Sequence, residues 1–359
     1  MISRNLFFRL VRQDIKKRIW CPILIFIVLF LALEVCLLME TEEYLRYSYV
    51  YAKDIVTYVK EYFFGRHSRM VSVVTCFTAF LCGISGYAYL HSKIQVDTYH
   101  SLPVSRSQLF WSKYISGVLQ FFVPFVIHAL SCAGIAAGKG AFTTATIPAV
   151  ISYIALQLVV FVLAYSVTVL AMELTGNMIV AVLGTGVLFL YSTLLAVLSH
   201  VLSDIYFDTY IAYGKRMSYP INENIWRFSP ASMLIRLFLS PNNTTMEAAK
   251  KLYKYDTSYV WVLMLAAAVY TMAAYIAHQR RASEAAGKSI AFHMAEPVIK
   301  TMVVIPAAFF CAVFFRSIAS YTKEERWFVF GLIFGFVIAC VLIEVIFLND
   351  LSNSLMHKK

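Results

Sequence analysis

Apolar side chains gather into runs of about 15 to 25 residues with almost no charge inside them, and a helix needs about 20 residues to cross the hydrocarbon core of a bilayer. Eight such runs can be read: Trp20 to Met39, Met70 to Leu90, Tyr114 to Ala137, Pro148 to Met172, Met178 to Leu202, Tyr259 to His278, Thr301 to Phe315 and Trp327 to Leu348. The pattern predicts an all-α, polytopic integral membrane protein and excludes a soluble enzyme, a β-barrel or a disordered chain. The seventh run is short, is bordered by Lys300 and Arg316 and contains Pro306, so a re-entrant or merely buried segment is the alternative there.

The polar stretches between the runs have patterns of their own. Within residues 1–19, Leu6, Phe7, Leu10, Val11 and Ile15 recur at three- and four-residue spacing, with Asn5, Arg9, Arg12 and Lys16 on the opposite side of a helix. Arg4, Gln13, Asp14, Lys17 and Arg18 fit that division less well. The pattern suggests an amphipathic helix lying along the inner membrane surface, or else a plain solvated basic terminus. The first apolar run ends in Glu40-Thr41-Glu42-Glu43 rather than a small-residue cleavage site, which predicts a retained helix and not a signal peptide. The segment 40–69 is rich in tyrosine (Tyr44, Tyr47, Tyr49, Tyr51, Tyr58, Tyr62) and is expected to rest at the outer interface, where amphipathic rings are favoured. The stretch 203–258 holds short apolar pieces such as Ala231 to Leu239, bounded by Pro230 and Pro241, and suggests short helices at the membrane edge.

Composition agrees with the pattern: 60% of residues are hydrophobic and 14% charged, with a net charge of +11. In a soluble protein that charge would suggest nucleic acid. Here it points to anionic lipid headgroups or an acidic protein surface, with no nucleic-acid partner expected. Lys and Arg are nearly balanced between the two sides. The cluster Arg4, Arg9, Arg12, Lys16, Lys17, Arg18 ahead of the first run places the N-terminus, and with eight spans the C-terminus, in the cytoplasm. All seven cysteines lie in apolar runs without a C-x-x-C pair, so neither a disulfide framework nor a metal site is expected.

No residue set supports nucleotide hydrolysis. Ala286-Gly287-Lys288-Ser289 resembles the end of a P-loop, but the first glycine that motif needs falls at Ala282. Gly83-Ile84-Ser85-Gly86, with His128 as an imagined base, is similar to the G-x-S-G of intramembrane serine proteases, yet small residues that let helices approach explain the same positions. Gly331 and Gly335 form a G-x-x-x-G in the last run, suited to an internal packing face or a subunit interface. Three ionisable residues fall inside apolar runs: Glu34, His128 and Glu344. Such groups face a bundle interior, a cavity or a partner, or stay neutral. Glu34 is expected about five residues from the outer boundary, Glu344 near the inner end where it can snorkel to water, and His128 near a kink at Pro124, helping to satisfy the carbonyl of Gln120.

The most informative stretch runs from Asp97 to Tyr114 between the second and third runs, where Ser105 is a plausible N-cap for a short helix bearing Leu109, Phe110 and Lys113. Its Y-H-S-L-P-V-S-R-x-x-L-F-x-x-K-Y pattern, Tyr99 to Tyr114, resembles the permease subunits of ATP-binding-cassette (ABC) exporters of the type-2 family, particularly those of Gram-positive bacteria. The run Arg280 to Ser289 and the amphipathic start are similar to that group as well. The resemblance implies a plasma-membrane, multi-pass permease that is not itself an enzyme and has no cofactor in its own chain. It implies ABC ATPase subunits carrying ATP and Mg as partners, and a second permease as homo- or heterodimer. By resemblance Tyr99, His100, Leu102, Pro103, Arg106, Leu109 and Phe110 would form the coupling helix that docks on the ATPase. The implied organisation is an amphipathic helix at 1–19, a six-helix core at 20–278 with a coupling loop at 91–113 and an outer segment at 203–258, and a two-helix extension within 279–359, which departs from the family core. The alternative is an ion-coupled secondary transporter using Glu34 and Glu344, against which no internal repeat is visible.

Overall fold

A computed structural model describes residues 2–46, 66–140, 142, 144–206, 230–231, 233–234, 257–288, 290–292, 296–319 and 324–356. Helix α1 (Ile2–Lys17) leads into α2 (Trp20–Leu29), a π-helical turn (Phe30–Val35) and α3 (Cys36–Arg46). There follow α4 (Arg66–Tyr87), the short α5 (Lys93–His100), α6 (Arg106–Gly138), α7 (Ile147–Leu174), α8 (Met178–Tyr206), α9 (Thr257–Arg280), α10 (Glu296–Ile318) and α11 (Glu324–Met356). The protein is an all-α polytopic membrane protein, and seven helices among the described residues are long and apolar enough to cross a membrane. The seventh predicted run is one continuous helix over Lys300–Ile318. The fifth lies in α8, 29 residues long, whose apolar stretch Met178–Tyr191 is shorter than the other spans. Most of the tyrosine-rich segment, nearly all of 203–258 and Ser289 lie outside the described residues.

The described residues fall into two compact units. Unit 1 comprises Met1–Ala88, Leu102–Leu170 and Arg236–Gln279. Its centre is α6, and α1, α2, α4 and the π-helical turn pack against it. Helix α6 begins at a reciprocal cap: Gln108 N–H donates to Ser105 Oγ at 3.2 Å, and Ser105 N–H donates to the Gln108 side-chain oxygen at 3.3 Å. The short helix expected after Ser105 is the start of the third span itself, because this cap opens a single helix of 33 residues. Pro124 lies inside α6 without ending it.

Close approach within unit 1 depends on small residues. A Cβ at Gly117 would run into the Tyr165 hydroxyl, and one at Gly83 would sit 2.6 Å from the Thr168 methyl. Phe121 and Phe161 stack at 4.2 Å between ring centroids, and Tyr165 extends the stack. Gln157 of α7 accepts from Thr75 (3.0 Å) and donates to Ser72 (2.9 Å), both on α4. Buried polar groups in a membrane bundle are paired in this way because hydrocarbon offers them nothing.

Unit 2 comprises Tyr89–Ser101, Ala171–Ile235 and Arg280–Lys359. Helices α10 and α11 form an antiparallel hairpin closed by an Arg316–Glu324 ion pair at 2.9 Å, with α8 packed on α10. Gly331 and Gly335 face Cys311, Ala308 and Ala312, which assigns the G-x-x-x-G to the inside of this hairpin. Phe315 stacks on Trp327 at the same closed end. Gly287, at φ +88, donates its N–H to the Gly176 carbonyl at 2.9 Å, so Ala286-Gly287-Lys288 builds a structural turn.

Candidate functional site

The residues assigned by resemblance to docking do not share one environment. Helix α5 is largely exposed, Ile94 at 80%, while Val96 anchors it at 3%. Tyr99 is half-buried, its ring 4.6 Å from that of Tyr89, and His100 Nδ1 lies 2.9 Å from Ser283 Oγ. Leu102 and Pro103 are exposed, and Arg106 donates to the Gln279 carbonyl at 3.1 Å. Leu109 and Phe110 are withdrawn from the surface, at 3% and 0% exposure, with Phe110 enclosed by Tyr87, Tyr114, Tyr275 and His278. Both side chains are buried within unit 1.

Beside α5, in the same unit, Arg281 is buried and donates to the carbonyls of Leu90 (3.0 Å), Met172 (3.1 Å) and Glu173. Two of these acceptors belong to the last turn of α7, where carbonyls have no intrahelical partner, and one guanidinium thus fastens two chain ends. Burial pushes the Arg281 guanidinium below its usual pKa, with Glu173 opposing.

In unit 1 two of the residues that fitted the amphipathic pattern poorly, Asp14 and Arg18, turn out to be its anchor. Val11, Asp14 and Arg18 share the buried stripe of the N-terminal segment. Asp14 accepts from Lys113 at 2.5 Å, and from Arg18 and Ser116, while Arg18 also donates to Ser116 at 2.9 Å and to Ser85 at 3.2 Å. Burial opposes ionisation of Asp14, but Lys113 and Arg18 together outweigh it and hold the carboxyl below its usual pKa. Ser85 is thereby occupied by Arg18 and the Cys82 carbonyl, and no described residue serves it as a base. Cys21 and Cys82 meet here with sulfurs 3.6 Å apart, a pairing hidden by a sequence separation of 61.

Glu34 and His128 come together. Glu34 lies in the π-helical turn, and the first span reaches Tyr44, so it sits about 15 Å along the axis from that end rather than the shorter distance expected. Its Oε2 is 3.2 Å from His128 Nδ1, within ion-pair distance but off hydrogen-bond geometry. His128 therefore faces Glu34 and not the Gln120 carbonyl. Glu344 belongs to unit 2, where its half-exposed carboxylate pairs with Lys300 at 3.3 Å. Among the described residues no group of three or more His, Cys, Asp or Glu could hold a metal.

Unit 1 also contains an apolar cavity of about 480 Å³ between α6, α7 and α9, lined by residues including Trp111, Tyr114, Val162, Ala267, Thr271 and Tyr275. Its hydroxyls satisfy one another: Tyr114 lies 2.7 Å from Ser166 and 3.0 Å from Thr271, and Tyr275 donates to Ser107 at 3.3 Å. No protein-family model and no curated protein matches the chain.

Proposed function

We propose that the chain is the membrane-spanning permease subunit of an ATP-driven ABC transporter of the plasma membrane, exporting a peptide, lipid or amphipathic molecule. ATP is hydrolysed on separate subunits, and the permease pairs with itself or with a sister permease. The observation that carries this reading is α5: a short, exposed helix between two spans, showing Ile94 to water and tethered through Tyr99 and His100. An exposed large aliphatic residue beside histidine and lysine suits docking on a soluble partner, and the Tyr99 to Tyr114 pattern supports the type of partner. In this reading α5 and the N-terminus face the cytoplasm, and α5 transmits closure of the ATPases to the spans. The apolar cavity, with its hydroxyls already engaged, supports an amphipathic substrate.

Ile94→Asp combined with Arg106→Glu is expected to abolish co-purification of an ATPase subunit and substrate-stimulated ATP hydrolysis while leaving membrane insertion intact. An unchanged complex with normal stimulation would overturn the docking assignment. Leu109 is unsuitable for this test, since a charge there would break the packing of α6.

A further inference from the structure

The contact between Glu34 and His128 plays no part in docking and stands whether or not an ATPase subunit binds. Both side chains are deep in unit 1, with residue exposures of 8% and 1%. The Phe26 ring covers the imidazole at 4.2 Å between centroids, and Phe30 lies 6.4 Å away. With carboxylate and imidazole already 3.2 Å apart, no organic ligand fits between them. A proton does.

Charge counting gives the occupancy. Carboxylate with imidazolium, and carboxylic acid with neutral imidazole, each hold one proton and are neutral overall. Adding a proton leaves a net positive charge in the membrane and removing one leaves a net negative charge, and a single charge there costs about 2.5 to 3.5 kcal/mol even on insertion scales. Five of the ionisable groups on the packed elements are thiols: Cys132 on α6, Cys36 on α3, Cys76 and Cys82 on α4, and Cys21 on α2. Farther along α3 lie Glu40, Glu43, Tyr44 and Arg46, and Glu42, which pairs with Lys139 at the end of α6. Toward the other end lie Asp14, Arg18 and Lys113, together a net single positive charge, about 22 Å along α6 from His128. Tyr87 lies on α4 at that same end, with its hydroxyl on the Phe110 carbonyl.

We infer that Glu34 and His128 form an intramembrane binding site for a single proton, held by the pair as a whole. The π-helical turn carries Glu34, and such turns concentrate at functional positions because they break the regular register of a helix.

The test counts protons in the full-length protein in lipid nanodiscs. NMR of isotope-labelled histidine, with His128→Asn identifying the signal, reads the imidazole. The infrared difference between wild type and Glu34→Gln reads the carboxyl; isotope-labelled glutamate in the wild-type protein supplies the same reading if that variant fails to insert. Between about pH 5 and 8, exposed His100 is expected to titrate while the Glu34–His128 pair keeps one proton throughout. Both groups protonated, neither protonated, or His128 titrating in step with His100 would overturn the site.

Discussion

Asp14 is the residue on which the anchoring of α1 turns, because it accepts from Lys113, Arg18 and Ser116 at once. Removing its charge leaves two buried cations uncompensated, a loss of about 3 to 5 kcal/mol for a broken buried pair. Asp14→Asn is therefore expected to lower the midpoint of thermal unfolding in detergent. The sign of the pH effect follows from its depressed pKa: the stabilisation is present above the unfolded-state value of about 3.9 and is lost as pH falls through the folded-state value. Wild type should lose this contribution on acidification, and the asparagine variant should show a flatter profile over the same range. Gly117 makes the opposite point, since what matters there is the absence of atoms. Gly117→Ala would force α6 and α7 apart at Tyr165 and is expected to cost about 1 to 3 kcal/mol, read as a lower unfolding midpoint.

At the scale of elements, the pairing of α2 with α4 can be checked through its sulfurs. Mild iodine oxidation of the native protein should join Cys21 to Cys82, seen as one linked peptide under non-reducing conditions, and a linkage of either to another cysteine would contradict the packing. The spans were legible in the sequence because twenty apolar residues in a row have one stable solution in lipid. Helix α5 was not, because Lys93–His100 is short and polar and owes its position to contacts of Val96, Tyr99 and His100. Asp14 and Arg18 left a trace as misfits in an amphipathic pattern, but their partners, Lys113 and Ser116, lie about a hundred positions away. Glu34 and His128 were each visible as unusual residues. Their meeting was not, because it depends on the register of the π-helical turn against α6.

On the scale of the whole molecule, the two units are interleaved in sequence, and the chain passes from one to the other between Ser101 and Leu102, within the loop that carries the docking pattern. Removal of residues 296–359 takes away α10 and α11 but no part of unit 1. The truncated chain is expected to form the Cys21–Cys82 link with wild-type yield, measured by the same peptide mapping. Interleaving also bears on biosynthesis. Helix α9, one wall of the apolar cavity, is the last part of unit 1 to leave the ribosome, long after α6 and α7. Until it arrives, Tyr114 and Ser166 lack Thr271. The half-made protein thus carries a cavity that lacks one wall, an interval in which an insertase or chaperone would find something to hold.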